Sequence, residues 1–426
     1  MHTTDTALCC AKPGGTGVLR YITAGSVDDG KSTLIGRLLH DTRAILADQM
    51  AAVASASRRR GSDEPDLSLL TDGLEAEREQ GITIDVAYRH FATPRRRFII
   101  ADAPGHEQYT RNMVTGASTA DAAVILADVT KGLLAQSKRH LLIAHLLGIR
   151  DMVVAVNKMD RAGFEREAFR RVCEAFQRFM RPLAIPTVTF IPISALHGDM
   201  VVERGERMPW YTGPTLLEFL EALEPRLTAA GLPLRFPVQL VARPCPGRGG
   251  RGYAGCVASG VVLARQPLVV LPGGRRAFVK DIRGLDGPRE IAVAGDSVTV
   301  TLSEELDVSR GDMLADARRP PREANALEVT LFWFSAEPMV AGGRYLLRHT
   351  TRTVKARVSA VNAFVDIHTL DLIPGSRTIA LNDVVKVSLR LAQPIFTDAY
   401  TVNRSTGAFI LIDEVSNQTV AAGLID

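Results

Sequence analysis

Two different rhythms of apolar and polar positions divide this chain. In the first half, short apolar runs alternate with stretches of helical spacing. Residues 18–25 (VLRYITAG) form an apolar run of strand length, as a strand buried on both faces requires. Leu34, Ile35, Leu38, Leu39, Ile45 and Leu46 then recur at helical spacing and predict a helix over residues 31–50. Residues 51–68 are small and polar with an Arg58–Arg60 run, and read as a loop with room for one helix. Val86 to Phe91 and Arg97 to Ala101 form a strand pair around the turn signal Thr93-Pro94-Arg95. Further strands are expected at Ala122 to Ala127, Met152 to Asn157 and Phe190 to Ile193. Helices are expected at Lys138 to Leu147, Phe164 to Phe179 and Thr215 to Leu223. This alternation predicts a mostly parallel sheet with helices on both faces.

The rhythm changes after Pro225. From residue 235 the apolar runs are short and broken by Gly and Pro: Phe236–Val241, Gly255–Val262, Leu268–Leu271, Val279–Ile282 and Val298–Leu302. Such a series suits a small closed β-barrel. Ala317-Arg-Arg-Pro-Pro-Arg-Glu323 reads as a linker, and a second strand series follows: Leu327–Trp333, Tyr345–His349, Thr353–Ala363, Asp383–Leu391 and Phe409–Asp413. The predicted organisation is a tail over 1–17, a nucleotide-binding domain over 18–232, and barrels over 233–322 and 323–426.

Composition narrows the class. With 46% hydrophobic and 23% charged residues among 426, the chain reads as an ordinary soluble multidomain protein. No apolar run approaches the roughly 20 residues of a membrane span, and the start has no signal-peptide layout. Cysteines 9, 10, 173, 245 and 256 form no metal or redox spacing, which fits a reduced, cytoplasmic setting. The net charge of +4 does not imply a nucleic-acid partner. The basic surplus lies in residues 233–322, 14 basic against 9 acidic, with Arg243, Arg248 and Arg251 around a Gly-rich loop. That loop reads as solvated, with docking to an acidic or phosphate-bearing partner as the alternative.

Chemistry concentrates in four ordered segments. Gly25, Ser26, Val27, Asp28, Asp29, Gly30, Lys31, Ser32 and Thr33 fit a phosphate loop, whose backbone N–H groups cradle phosphates. Lys31 can bridge β- and γ-phosphates, and the Ser32 hydroxyl can ligate Mg²⁺. Asp102, Ala103, Pro104, Gly105 and His106 follow an apolar strand. Asp102 can hold Mg²⁺ through water, Gly105 can sense the γ-phosphate and His106 can orient attacking water. Thr83, between these segments, can complete the Mg²⁺ shell. Asn157, Lys158, Met159 and Asp160 select the base: a carboxylate accepts from both N1–H and the 2-amino group of guanine, which adenine does not offer. The backbone of Ser194, Ala195 and Leu196 can donate to O6. GTP is thus the expected ligand, with Mg²⁺.

With these motifs the chain resembles the three-domain translational-type GTPases: an α/β P-loop GTPase domain followed by two all-β barrels. Two groups within that class compete. One delivers aminoacyl-tRNA; the other is the GTPase large subunit of sulfate adenylyltransferase. Glu77 to Asp85 and Thr419 to Gly423 are common to both. Ser26 to Leu38, where elongation factors usually carry His at the position of Ser26, resembles the sulfurylase subunit. So do His40-Asp-Thr42, Asp48-Gln49, Asp102 to Asn112, Arg139-His140 with Leu147-Gly-Ile149, and Thr406 to Asp413. The resemblance implies GTP hydrolysis coupled to formation of adenosine 5′-phosphosulfate and pyrophosphate by a small catalytic subunit that binds ATP and sulfate. It implies neither a membrane nor a nucleic-acid partner. Without a second phosphate loop, no adenylylsulfate kinase activity is expected. The alternatives are an elongation-factor-like GTPase and a purely regulatory GTPase.

Overall fold

The computed structural model describes residues 17–59, 65–70, 85–183, 185, 187–224, 229–242, 251–339, 342–375 and 377–426. The chain divides into two compact units after Pro225. In the first, β1 (Val18–Ala24), β2 (Ala87–Ala92), β3 (Arg97–Asp102), β4 (Ala122–Asp128), β5 (Asp151–Asn157) and β6 (Thr187–Pro192) form one sheet of order β2-β3-β1-β4-β5-β6. Only β2 runs antiparallel to its neighbour. Every residue of β4 is buried, the signature of a strand covered on both faces. The order steps outward from β1 in both directions, so right-handed crossovers put helices on opposite faces.

The helices are α1 (Lys31–Asp41), α2 (Ala47–Arg59), α3 (Thr110–Ser118), α4 (Ala135–Leu146), α5 (Arg166–Met180) and α6 (Leu216–Ala222). The helix expected over 31–50 is therefore two helices. Thr42 Oγ1 bonds back to Leu38 O at 2.6 Å and Arg43 takes a left-handed φ of 56°. That conformation stops an α-helix whatever the apolar spacing beyond it. Helix α2 also takes much of the stretch read as loop.

The second unit contains two closed barrels. The first uses β7 (Arg235–Ala242), β8 (Gly252–Cys256), β10 (Pro267–Leu271), β11 (Arg275–Gly284), β14 (Ser297–Leu302) and β15 (Met313–Asp316). They run in order β10-β15-β7-β8-β14-β11, and β10–β11 pairing closes the ring. The short β12 (Gly287–Arg289) adds to β11, and β9 (Val261–Leu263) pairs with β13 (Ile291–Val293) as a separate ribbon. The strand expected over 255–262 is thus broken. Gly260 has φ +76°, and a Cβ there would lie 2.5 Å from Leu234 N. The second barrel uses β16 (Arg322–Trp333), β17 (Arg344–His349), β18 (Arg352–Val365), β20 (Val384–Thr397), β21 (Ala408–Asp413) and β22 (Thr419–Ile425), with β19 (Leu372–Ile373) appended to β18. Pairing of β17 with β18 closes it. Inward-facing residues such as Phe236, Val238, Tyr253 and Val300 fill the first barrel, and Leu331, Leu347, Val387 and Leu411 the second.

A polar seam joins the barrels. Arg235, 3% exposed, meets Asp398 bidentately, with both N–O distances 2.9 Å, and also donates to Arg319 O. Asp398 accepts from Thr406 Oγ1 at 2.6 Å, and Thr406 O lies 2.8 Å from His349 Nε2. Asn403 Nδ2 donates to Ser259 Oγ at 2.9 Å. Val269, Leu271, Met313 and Ala315 of the first barrel pack with Phe396 of the second. The proline-bearing segment expected to be a linker is a short connection pinned by Arg235.

Arg235→Ala leaves the Asp398 carboxylate without its charge partner and is expected to cost about 3–5 kcal/mol, read by chemical denaturation. Burial holds the His349 imidazole below its ordinary value, outweighing Thr406 and Asp398. Its stabilising contribution is present above the unfolded value of about 6.5 and lost as pH falls below it. Asp398 is held low by Arg235 and Thr406 against its burial, so its contribution fades only at stronger acidity. Melting temperature should therefore fall between pH 7 and 5, and His349→Gln should flatten that fall.

Candidate nucleotide-binding site

All four motif segments sit at carboxyl ends of neighbouring parallel strands: the phosphate loop after β1, Asp102 at the end of β3, Asn157 at the end of β5 and Ser194 just past β6. Ligands of open α/β sheets bind along this edge, where the strand order reverses.

The phosphate loop turns through two left-handed residues, Asp28 (φ 66°) and Gly30 (φ 92°), and Gly30 caps α1. Lys31 is thereby the first helical residue, 8% exposed. Its Nζ donates to Gly25 O and Ser26 O, each at 3.0 Å. Burial pulls the Lys31 ammonium below its ordinary range, opposed by Asp102, Asp29 and Asp28. Asp29 Oδ2 accepts from Ser26 N at 2.7 Å and braces the loop from within. Burial raises the Asp29 carboxyl to about 6 in spite of that bond and of Lys31. Val27 is half-buried, and Ser32 and Thr33 lie half-buried in the first turn of α1.

Asp102 is 2% exposed, and Ala103 N bonds to Thr23 O at 3.2 Å, which fixes the strand-end turn against β1. Ala103, Pro104 and Gly105 are buried. Gly105 lies so close to the phosphate loop that a Cβ would fall 2.4 Å from Lys31 Nζ and 2.7 Å from Gly25 O. His106 is half-buried and caps the next turn, its Nδ1 accepting from Gln108 N at 3.4 Å. Thr83, with most of the Glu77–Asp85 stretch, lies outside the described residues, as do Arg243 and Arg248.

The base-selecting segment is tied closely to the rest of the site. Asn157 is 2% exposed, and its carboxamide is committed to protein: Nδ2 donates to Asp29 O at 2.8 Å, and Oδ1 accepts from Ala195 N at 3.0 Å. It joins the phosphate loop to the Ser194–Leu196 loop. Lys158, with a left-handed φ of 63°, sends Nζ to Asp128 Oδ2 at 2.8 Å. Met159 is fully buried. Asp160 Oδ1 accepts from Ser194 Oγ at 2.7 Å, which orients the carboxylate and ties it to the loop after β6.

Several contributors escaped sequence reasoning. Asp128 ends β4 with its carboxylate held low by Lys158 and Thr130 against its burial. Only its position after an apolar run hints at this role. Ser137 and His140 of α4 are buried behind the phosphate loop, with Ser137 Oγ 3.5 Å from Ser26 Oγ. Burial, with Lys31 and Arg139 nearby, pushes the His140 imidazole down to about 3 and keeps it neutral. Arg139 pairs with Glu107, next to His106, at 3.1 Å.

Comparison with known proteins shows the family. Residues 17–227 match the family model of the elongation factor Tu GTP binding domain, and residues 326–426 that of the GTP-eEF1A C-terminal domain-like family. Sulfate adenylyltransferase subunit 1 of Shewanella oneidensis is 48% identical over 415 residues, 96% of this chain and 85% of that protein. The subunit 1 of Laribacter hongkongensis is 47% identical over 411 residues, with the same coverage. The bifunctional enzyme CysN/CysC of Mycobacterium tuberculosis is 50% identical over 413 residues, 96% of this chain and 67% of that one. The chain belongs to the sulfate adenylyltransferase subunit 1 family of elongation-factor-like GTPases.

Two variants test the site. Asp160→Asn replaces a double acceptor by an amide suited to xanthine, so GTP affinity should fall ~100-fold and XTP binding should appear in a nucleotide-binding titration. Gly105→Ala puts a methyl against Lys31 and the Gly25 carbonyl. It should weaken nucleotide binding about tenfold or more, as overpacking of 1–3 kcal/mol implies.

Proposed function

We propose that this member of the family is the GTPase subunit of a heteromeric sulfate adenylyltransferase. It binds and hydrolyses GTP while a separate catalytic subunit forms adenosine 5′-phosphosulfate and pyrophosphate from ATP and sulfate. The observation that carries the reading is the convergence of the phosphate loop, Asp102, Asp160 and the Ser194–Leu196 loop on one sheet edge. The close relation to named subunit 1 proteins over 96% of the chain supports the substrate assignment.

Each residue has a task in this reading. Lys31 releases the Gly25 and Ser26 carbonyls and takes β- and γ-phosphate oxygens instead. The backbone N–H groups at the start of α1 receive the remaining phosphate charge. Asp160 accepts from the guanine N1–H and 2-amino group, already aligned by Ser194. Ser32 and Asp102, with the Thr83 hydroxyl that the sequence reading adds, would offer oxygen donors only, which suit a hard cation such as Mg²⁺. When bound, that ion neutralises phosphate charge. His106 orients water toward the γ-phosphate once its ring leaves Gln108 N. Gly105, pressed against Lys31, is placed to register the γ-phosphate through its backbone.

Sulfate adenylation is uphill, so the subunit's part is to link GTP cleavage to it. With pyrophosphate left in place, GTP should raise the final ratio of adenosine 5′-phosphosulfate to ATP above the GTP-free equilibrium when the chain is assayed with its partner. A non-hydrolysable analogue should not. An unchanged ratio would leave only a regulatory GTPase, and stimulation by aminoacyl-tRNA and ribosomes would favour an elongation-factor role. His106→Ala should lower kcat for GTP ~100-fold, the range of a lost general-base contribution, and leave GTP affinity within about threefold.

A further inference from the structure

We infer that Arg37 is a positioning residue for guanine recognition, which aims the Leu196 N–H at the O6 carbonyl of the base. The inference rests on the guanine reading of the site and deepens it.

Arg37 lies on α1, the helix that starts at Lys31, and its guanidinium reaches the loop after β6. Nε donates to Ala195 O at 3.3 Å, and the adjacent terminal nitrogen donates to Leu196 O. The other terminal nitrogen is 3.5 Å from Asp41 Oδ1, one turn further along α1, which steadies the plane of the fork. Two donors on one edge of a rigid planar group can grip two successive carbonyls; an ammonium on a flexible stem cannot reproduce that geometry. Gly198, beside the arginine stem, takes φ +88°, a backbone conformation that favours glycine.

Gripping those carbonyls decides where the amides point. In a trans peptide the C=O and the following N–H face opposite ways. Holding Ala195 O toward α1 therefore turns Leu196 N–H away from it. The neighbouring amides are engaged: Ser194 N with Asp199 O, Ala195 N with Asn157 Oδ1, His197 N with Ser194 Oγ and Gly198 N with Ser194 O. Of the amides from Ser194 to Gly198, that of Leu196 is the one with no protein acceptor. It follows directly after the two residues tied to Asn157 and Asp160, and in the guanine reading it serves the same base as Asp160.

The test uses the full chain and two nucleotides, GDP and the 5′-diphosphate of 2-aminopurine riboside. The latter lacks O6 and the N1–H and therefore binds more weakly to begin with, so the readout for each is its own change on substitution. Arg37→Lys and Arg37→Gln should each weaken GDP binding about tenfold, the size of one hydrogen bond. Binding of the O6-less nucleotide should change less than about twofold, so the ratio between the two collapses. Equal loss for both nucleotides would make Arg37 a general support of the loop and overturn the inference, as would no loss for either. If the unsubstituted protein shows no preference for GDP over ADP, the guanine reading itself fails, a separate result. Leu196→Pro deletes the N–H and leaves the guanidinium alone. Should an Arg37 variant not fold, this variant must give the same selective loss, and a loss shared by both nucleotides overturns the inference.

Discussion

One carboxamide holds the nucleotide site together. The Asn157 side chain donates to the phosphate loop and accepts from the loop after β6, with both bonds buried. A buried amide that lost either partner would carry an unsatisfied polar group, which costs more than the bond itself contributes. The two loops are therefore locked at a fixed separation at the end of β5. Everything else in the site is arranged around that lock: Lys158 on Asp128, Asp160 on Ser194, Asp29 on Ser26 and Gly105 on the phosphate loop.

Much of this was legible in the sequence because it is local. A phosphate loop needs glycines and a lysine within eight residues, and a strand end needs an apolar run. Both are written in contiguous residues. The failures mark where locality ends. At the break after Asp41 the apolar spacing does not fail, since Ile45 and Leu46 continue it. The helix stops there through the backbone of Arg43, which periodicity does not encode. The break at Gly260 arises because Leu234 presses on it from another segment. Asp128 and Arg37 were invisible for the same reason: each acts on a residue brought near only by the fold. Even Asn157 was legible as a site residue but not in its task, since its partners are 128 and 38 residues away.

The barrel seam shows a different kind of hidden order. Arg235 and Asp398 are 163 residues apart, and neither sits in a motif. A buried ion pair contributes little net stability compared with well-packed apolar groups, yet breaking it on one side is costly. Wherever Arg235 stays buried without Asp398, the seam carries an uncompensated charge, which disfavours such a packing. The apolar contacts of Phe396 with Val269, Leu271 and Met313 supply adhesion without that discrimination.

This seam also has a mechanical meaning. Two barrels joined only by a flexible tether would each have to be oriented separately when a partner binds, and each would lose its own rotational freedom. Joined through Arg235, Asn403 and Phe396 in one compact unit, they can be oriented together. The rotational cost of docking would then fall once on the pair instead of once on each barrel.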